Sequence, residues 1–192
     1  MKSLKNKVAI VTGSSKGIGA QLAKVLAQAG ASVIVNYAGI IVYKKIQDTT
    51  DEDFDRIFAV NVKGIFNTLR EAATRIEDGG RIVNLSSSVT RLMLPAYGVY
   101  SATKGAVEQL TRVFAKEVGP RRITVNSISP SPTHTELFNE GKSEDDIKRL
   151  ASMAALSRIG EPNDIARVIL FLVSEEAAWV TGQNLGVNGG FA

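Results

Sequence analysis

Short β-branched runs alternate with segments of helical period along almost the whole chain. That alternation constrains the fold more than any other feature. Val8 to Val11 is an apolar run, and Ser32 to Asn36, Arg81 to Leu85, Ile123 to Ile128 and Asn184 to Val187 repeat the pattern. Between them Ile18, Leu22, Val25, Leu26 and Ala29 fall on one helical stripe, with Gly30 as a C-terminal cap. Thr50-Asp51-Glu52-Asp53 opens a long helix with apolar face Phe54, Ile57, Phe58, Ile65, Phe66 and Leu69, its first-turn acids suited to the helix dipole. Further helices are expected over 101–118, with Val107, Leu110 and Phe114 inward, around 143–153, and over 162–173, with Pro162 in the first turn. Strands separated by helices predict an α/β fold with a mostly parallel, doubly wound sheet.

The 192 residues suit one domain, 1–192, and 44% apolar residues exclude a disordered chain. The chain has no cysteine, which excludes disulfide scaffolds, thiol catalysis and cysteine-based metal sites and fits a reducing, cytoplasmic setting. The apolar run after the basic start is too short for a signal or a membrane span. A net charge of +4 without Lys/Arg-rich runs gives nucleic-acid binding little support. The sole histidine, His134, lacks histidine partners and reads as a loop residue, and Trp179 reads as a core or subunit contact.

Three motifs carry chemistry. Thr12-Gly13-Ser14-Ser15-Lys16-Gly17-Ile18-Gly19 lies between the first strand and its helix. Glycines there let the backbone bend and approach a pyrophosphate, and the helix start offers free N–H groups. A bare strand-to-helix turn also accounts for three glycines. Tyr100 and Lys104 stand at i and i+4, on one helix face. An ammonium beside a phenol favours phenolate, so the pair can exchange a proton with an alcohol or carbonyl oxygen. A surface Tyr–Lys pair has the same spacing. Ser87, in Asn84-Leu85-Ser86-Ser87, ends a strand at the sheet edge where α/β ligands bind, although serines also simply cap strands.

In this order the motifs resemble the short-chain dehydrogenase/reductase family, most closely bacterial 3-oxoacyl-[acyl-carrier-protein] reductases and related sugar or alcohol dehydrogenases. The resemblance implies a Rossmann-like fold with Asn61, Ser87, Tyr100 and Lys104 as the catalytic set. Tyr100 would exchange the proton, Ser87 would polarise the substrate oxygen, Lys104 would hold the ribose and lower the phenol's pKa, and Asn61 would hold a relay water. Gly13, Ser15, Lys16, Gly17, Ile18, Gly19, Asn36, Ala38, Gly39, Tyr100, Lys104, Pro130 and Thr133 would contact the nicotinamide cofactor. The implied reaction is reduction of a ketone or 3-oxoacyl substrate, with alcohol or sugar oxidation as the alternative. A homodimer or homotetramer is implied, seamed by helices over 51–75 and 101–118.

The chain departs from that pattern after its second strand, where several dozen family residues are absent. Ser32 to Ile41 reads as two family segments fused at about 36–40, which predicts a sheet shortened on its adenine side. One fused strand cannot lie on both sides of the first strand, so its place in the sheet is open. The missing segment also allows a catalytically silent nucleotide-binding or assembly module. Ser131 and Asn188 replace a common glycine and aspartate. No acid stands about 20 residues beyond Gly13, where Asn36 and Tyr37 occur, and Lys16 could meet a 2′-phosphate. Both favour NADP over NAD.

Overall fold

The computed structural model describes residues 7–13, 31–135, 138 and 142–192. The expected first helix and Ser15, Lys16, Gly17, Ile18 and Gly19 lie outside these described residues. Five parallel strands are described: β1 (Lys7–Thr12), β2 (Ala31–Asn36), β3 (Arg81–Leu85), β4 (Thr124–Pro130) and β5 (Asn184–Val187). Their spatial order is β1-β2-β3-β4-β5. Alternate side chains on each strand face opposite layers. Val35, Val83 and Ile128 pack against Ile165, Ile169 and Leu172 of α6 (Pro162–Leu172). Ile82 and Val125 face the other way, onto Ile65 and Leu69 of α2 (Gly64–Arg75) and Val107 and Phe114 of α4 (Gly98–Val118). Helices on both faces make this the expected doubly wound α/β sheet.

The order also decides where the fused strand lies. β2 pairs with β1 on one side (Thr12 opposite Asn36) and β3 on the other (Asn36 opposite Asn84). It therefore fills the slot that the fourth strand holds in a 3-2-1-4-5-6 sheet. Among the described residues no strand lies beyond β1, as the shortened adenine side predicts.

This slot corrects one expectation. Asn36 does not present itself to a dinucleotide ribose. It is 1% exposed, and its Nδ2 donates to Asn84 Oδ1 at 2.8 Å. Asn84 in turn donates to Thr111 Oγ1 of α4 at 2.9 Å. Buried amides must find partners or lose their hydration without return, so this chain of bonds also locks the sheet to the helix.

The long helix predicted from Asp51 is present but not uniform. Thr50 caps it, accepting from the Asp53 N–H at 3.2 Å. α1 (Asp51–Phe58) passes through a π-helical turn, Ala59–Lys63, into α2. Ile57, Ile65 and Leu69 of its expected apolar face are buried, whereas Phe54 and Phe66 are 44% and 45% exposed. α3 (Val89–Leu92) is a single turn, and α5 (Glu144–Ser152) starts with a Ser143–Asp146 capping box. Trp179 is 99% exposed, which excludes the core half of its reading as a core or subunit contact. No helix among the described residues is long and apolar enough to cross a membrane.

The strand slot is testable. Asn36→Asp puts a carboxylate against Asn84 Oδ1 in a dry place and is expected to cost about 3 kcal/mol or more of unfolding free energy. Denaturant unfolding that matches the parent would show that the residue faces water.

Candidate active site

The C-terminal ends of the strands open onto a cleft of about 310 Å³. Gly39, Ser87, Tyr100, Lys104, Pro130 and Thr133 all line it, although they come from four separate stretches of chain. The topology brings them together: β2, β3 and β4 end on the same side, and α4 passes beside them.

α4 begins at Gly98, one turn before the expected start, so Tyr100 and Lys104 both sit on helical backbone. The Lys104 side chain is 2% exposed, with Nζ 5.6 Å from the Tyr100 ring centroid and donating to Leu85 O at 2.9 Å. Burial pulls the Lys104 ammonium down to about 8, because a low-polarity setting penalises its charge. The same cause pushes the Tyr100 phenol up to about 12. A hydrogen bond with Ser87 lowers it in part, and Tyr43 raises it further. Burial dominates, so the phenol lies above its ordinary value where the spacing with Lys104 led to the expectation of a lowered one. The phenol is instead held fully protonated at neutral pH.

Asn61 lies in the π-helical turn and is fully buried. Its Oδ1 accepts from Ile40 N–H at 2.8 Å, and Nδ2 donates to Ile40 O at 2.8 Å and Thr103 Oγ1 at 3.1 Å. Both amide protons are thus spent on protein acceptors. The side chain clamps the segment after β2 to α4, one residue before Lys104. Sequence reading placed Asn61 at the site but gave no sign of the π turn that aims it, although such turns recur at functional sites.

Backbone without side chains completes the crevice floor. Gly13 has φ +66°, and a Cβ there would lie 2.8 Å from Ala38 N. A Cβ on Gly39 would come within 3.3 Å of Asn61 Oδ1 and 3.5 Å of Lys104 Nζ. Thr12 Oγ1 accepts from the N–H groups of Tyr37 and Ala38, at 3.0 and 3.3 Å, tying β1 to the same segment. Glycine at 13 and 39 thus lets the end of β1, the segment after β2, Asn61 and Lys104 pack this closely, and Gly39 lines the cleft beside Lys104.

Some supporting residues carry no sequence motif. Glu108 lies one helical turn beyond Lys104, and its Oε1 accepts from Ser86 Oγ at 2.8 Å and Thr90 Oγ1 at 2.9 Å. It therefore grips the chain on both sides of Ser87. Asn188 donates to Ser88 Oγ at 3.4 Å and to Ala192 O at 3.1 Å, so the C-terminal Gly189-Gly190 turn braces the residue after Ser87. Only the i+4 spacing of Lys104 and Glu108 could have pointed to the first. His134 sits in the loop after β4, where its N–H donates to Gly160 O at 2.8 Å, and no metal-binding cluster occurs among the described residues.

Removing the clamp is informative. Asn61→Ala leaves the Ile40 peptide groups without their partners and is expected to cost about 2–4 kcal/mol of stability. Chemical denaturation measures this, and a loss under 0.5 kcal/mol would mean that the amide bonds are not made.

Comparison with known proteins agrees with this geometry. Residues 32–192 match the family model described as enoyl-(acyl carrier protein) reductase. An uncharacterized oxidoreductase of Methylorubrum extorquens is 35% identical, with 99% of each chain covered. That alignment runs to 246 positions against a chain of 192, so at least 54 positions of the relative have no counterpart here. An Arabidopsis thaliana chloroplastic NADPH-dependent aldehyde reductase-like protein is 41% identical over 85% of this chain and 62% of its own length. Among solved structures, the angucycline C-6 ketoreductase LanV with bound NADP superposes with a TM-score of 0.92 at 30% identity, covering 99% of this chain and 97% of that one. A blue fluorescent protein from a metagenomic library, in complex with NADPH, gives 0.93 at 29% identity over the full length of both. Together with the strand-end cleft and its Ser87, Tyr100 and Lys104, these matches establish that the chain belongs to the short-chain dehydrogenase/reductase family.

Proposed function

We propose that the chain is an NADPH-dependent carbonyl reductase acting on a ketone or 3-oxoacyl substrate, with Tyr100 as the proton donor. The observation that carries this reading is the convergence of Ser87, Tyr100 and the buried Lys104 on one cleft beside the bare backbone of Gly39. Solved relatives that hold NADP or NADPH support the choice of cofactor. Gly13, Ala38, Gly39, Tyr100, Lys104, Pro130 and Thr133 would hold it on the described half. Asn36, buried in the sheet, would not.

When bound, the reduced nicotinamide supplies a hydride to the carbonyl carbon. Everything else falls to this chain. Ser87 donates a hydrogen bond to the carbonyl oxygen and polarises it. Tyr100 gives that oxygen its proton. A phenol pushed up to about 12 carries its proton throughout the neutral range, the form in which reduction needs it. Once the proton has left, the Lys104 ammonium stabilises the phenolate electrostatically. Asn61 and Glu108 keep both helix and serines in place.

The central experiment is NADPH consumption with a ketone panel. Tyr100→Phe is expected to lower kcat by roughly 10²- to 10⁴-fold while dinucleotide binding persists. Equal rates for the two proteins would remove Tyr100 from the proton path. Binding without turnover of any carbonyl would support the silent-module reading suggested by the missing positions.

The pH profile follows from Lys104. Its folded pKa of about 8 lies below the ordinary 10.5, so the ammonium is charged below pH 8 and is lost as pH rises through that value. Tyr100 stays protonated over this range. The reductive rate is therefore expected to fall with a midpoint near pH 8. Stopped-flow rates that stay level to pH 10 would contradict the assigned role of the ammonium.

The same reading includes assembly with a second copy through α1, α2 and α4. Phe54, Val60, Phe66 and Val113 are exposed on those helices, and Phe58, Val62, Phe66 and Leu110 line a shallow apolar groove there. Phe66→Asp is expected to shift the light-scattering mass down to that of one chain, and an unchanged mass would place any interface elsewhere.

A further inference from the structure

The chain has four tyrosines, and all four line the cleft: Tyr37, Tyr43, Tyr97 and Tyr100. Three of them form a row. Tyr43 and Tyr97 meet edge to face with centroids 5.1 Å apart and planes at 84°, and Tyr97 meets Tyr100 at 6.5 Å and 61°. The row leads from Tyr43, 59% exposed at the rim, to the buried phenol at the base. Its outer members are held in register, because Lys44 N–H donates to Ala96 O at 3.1 Å and so joins the segments on either side of the mouth. Burial, with Tyr43 beside it, lifts the Tyr97 phenol to about 12.

The remaining lining narrows the class of ligand. Ile40, Ile41, Leu92, Leu94, Phe138 and Leu150 add apolar surface, and no carboxylate or carboxamide side chain occurs among the described lining residues. Single hydroxyls of Ser86, Ser87, Ser88, Ser131, Thr133 and Thr135 also line the cleft, but the described lining lacks the acid and amide side chains that hold a polyol's hydroxyls in pairs. A flexible acyl chain would lose its rotamer freedom in a cleft lined by rings. A flat, rigid ring system loses little, and each additional edge-to-face contact adds to the area that it buries.

We propose that the cleft selects aryl ketones, with the aromatic body seated against Tyr43 and Tyr97 and the carbonyl presented to Tyr100 and Ser87. This deepens the reductase reading and rests on it for the chemistry, though not for the binding.

Two measurements separate these. NADPH-dependent kcat/KM is compared for 1-tetralone and for ethyl 3-oxobutanoate, a small acyclic keto ester. The wild-type ratio is expected to favour 1-tetralone by about tenfold or more. Tyr97→Leu is expected to reduce that ratio by roughly tenfold, mostly through KM, while Tyr97→Phe, which keeps the ring, retains most of it. A wild-type ratio near one, or equal effects of the leucine and phenylalanine variants, would overturn the aryl preference and leave the reductase reading standing. The second measurement is calorimetric titration of 2-naphthol, an aromatic alcohol, into the wild-type protein and Tyr97→Leu. Binding that the leucine variant weakens about tenfold supports the aryl site even if neither ketone is reduced, an outcome that would sink the reductase reading alone. Absence of 2-naphthol binding to the wild-type protein would overturn the inference.

Discussion

The site depends on the slot that β2 occupies between β1 and β3. A parallel strand gives up its backbone groups to both neighbours, so its register is set residue by residue and its C-terminal end emerges at one defined point. Here that point delivers Tyr37, Ala38 and Gly39 to the mouth of the sheet. Thr12 gathers their N–H groups from one side, and Asn61 captures the Ile40 peptide from the other. A shift of one residue would turn Asn36 out of its bond with Asn84 and carry Gly39 away from Lys104. The slot thus fixes the cleft floor although at least 54 positions of a full-length relative are missing.

Burial then sets the electrostatics. Lys104 and Tyr100 share a face of α4, and lost hydration moves them in opposite senses, the amine down to about 8 and the phenol up to about 12. Both shifts favour the neutral form. A neutral phenol is the form that a proton donor needs, whereas the ammonium keeps its charge only below its lowered pKa. Leu85 O accepts one ammonium hydrogen bond and partly offsets the cost of burying the group. Burial therefore sets the protonation of both groups before any ligand enters, in a way that spacing along the helix does not reveal.

Much of this was legible in the residues themselves. Alternating strand and helix patterns gave the doubly wound sheet, and the Tyr100–Lys104 spacing, with Ser87 at a strand end, pointed to the cleft. Asn61 was found through family resemblance, but its π turn was not, because a five-residue widening of a helix leaves no mark on apolar periodicity. Asn36 was misread for a related reason. Its neighbours in sequence are those of a strand end, and only the register against Asn84 shows that its amide faces inward. Trp179 is exposed and not in the core, since a large aromatic side chain predicts burial on average and not at a particular position.

The amino-acid sequence by itself determined which segments become strands and helices, and which groups capable of proton transfer the chain contains. Both follow from local rules: side-chain periodicity, caps and the chemistry of each residue type. Tertiary structure alone decided that the shortened strand enters between β1 and β3, that all four tyrosines meet in one cleft, and that the Tyr100 phenol is raised and not lowered. Those outcomes depend on contacts between distant residues and on the water those contacts exclude, and neither is written in any single stretch of chain.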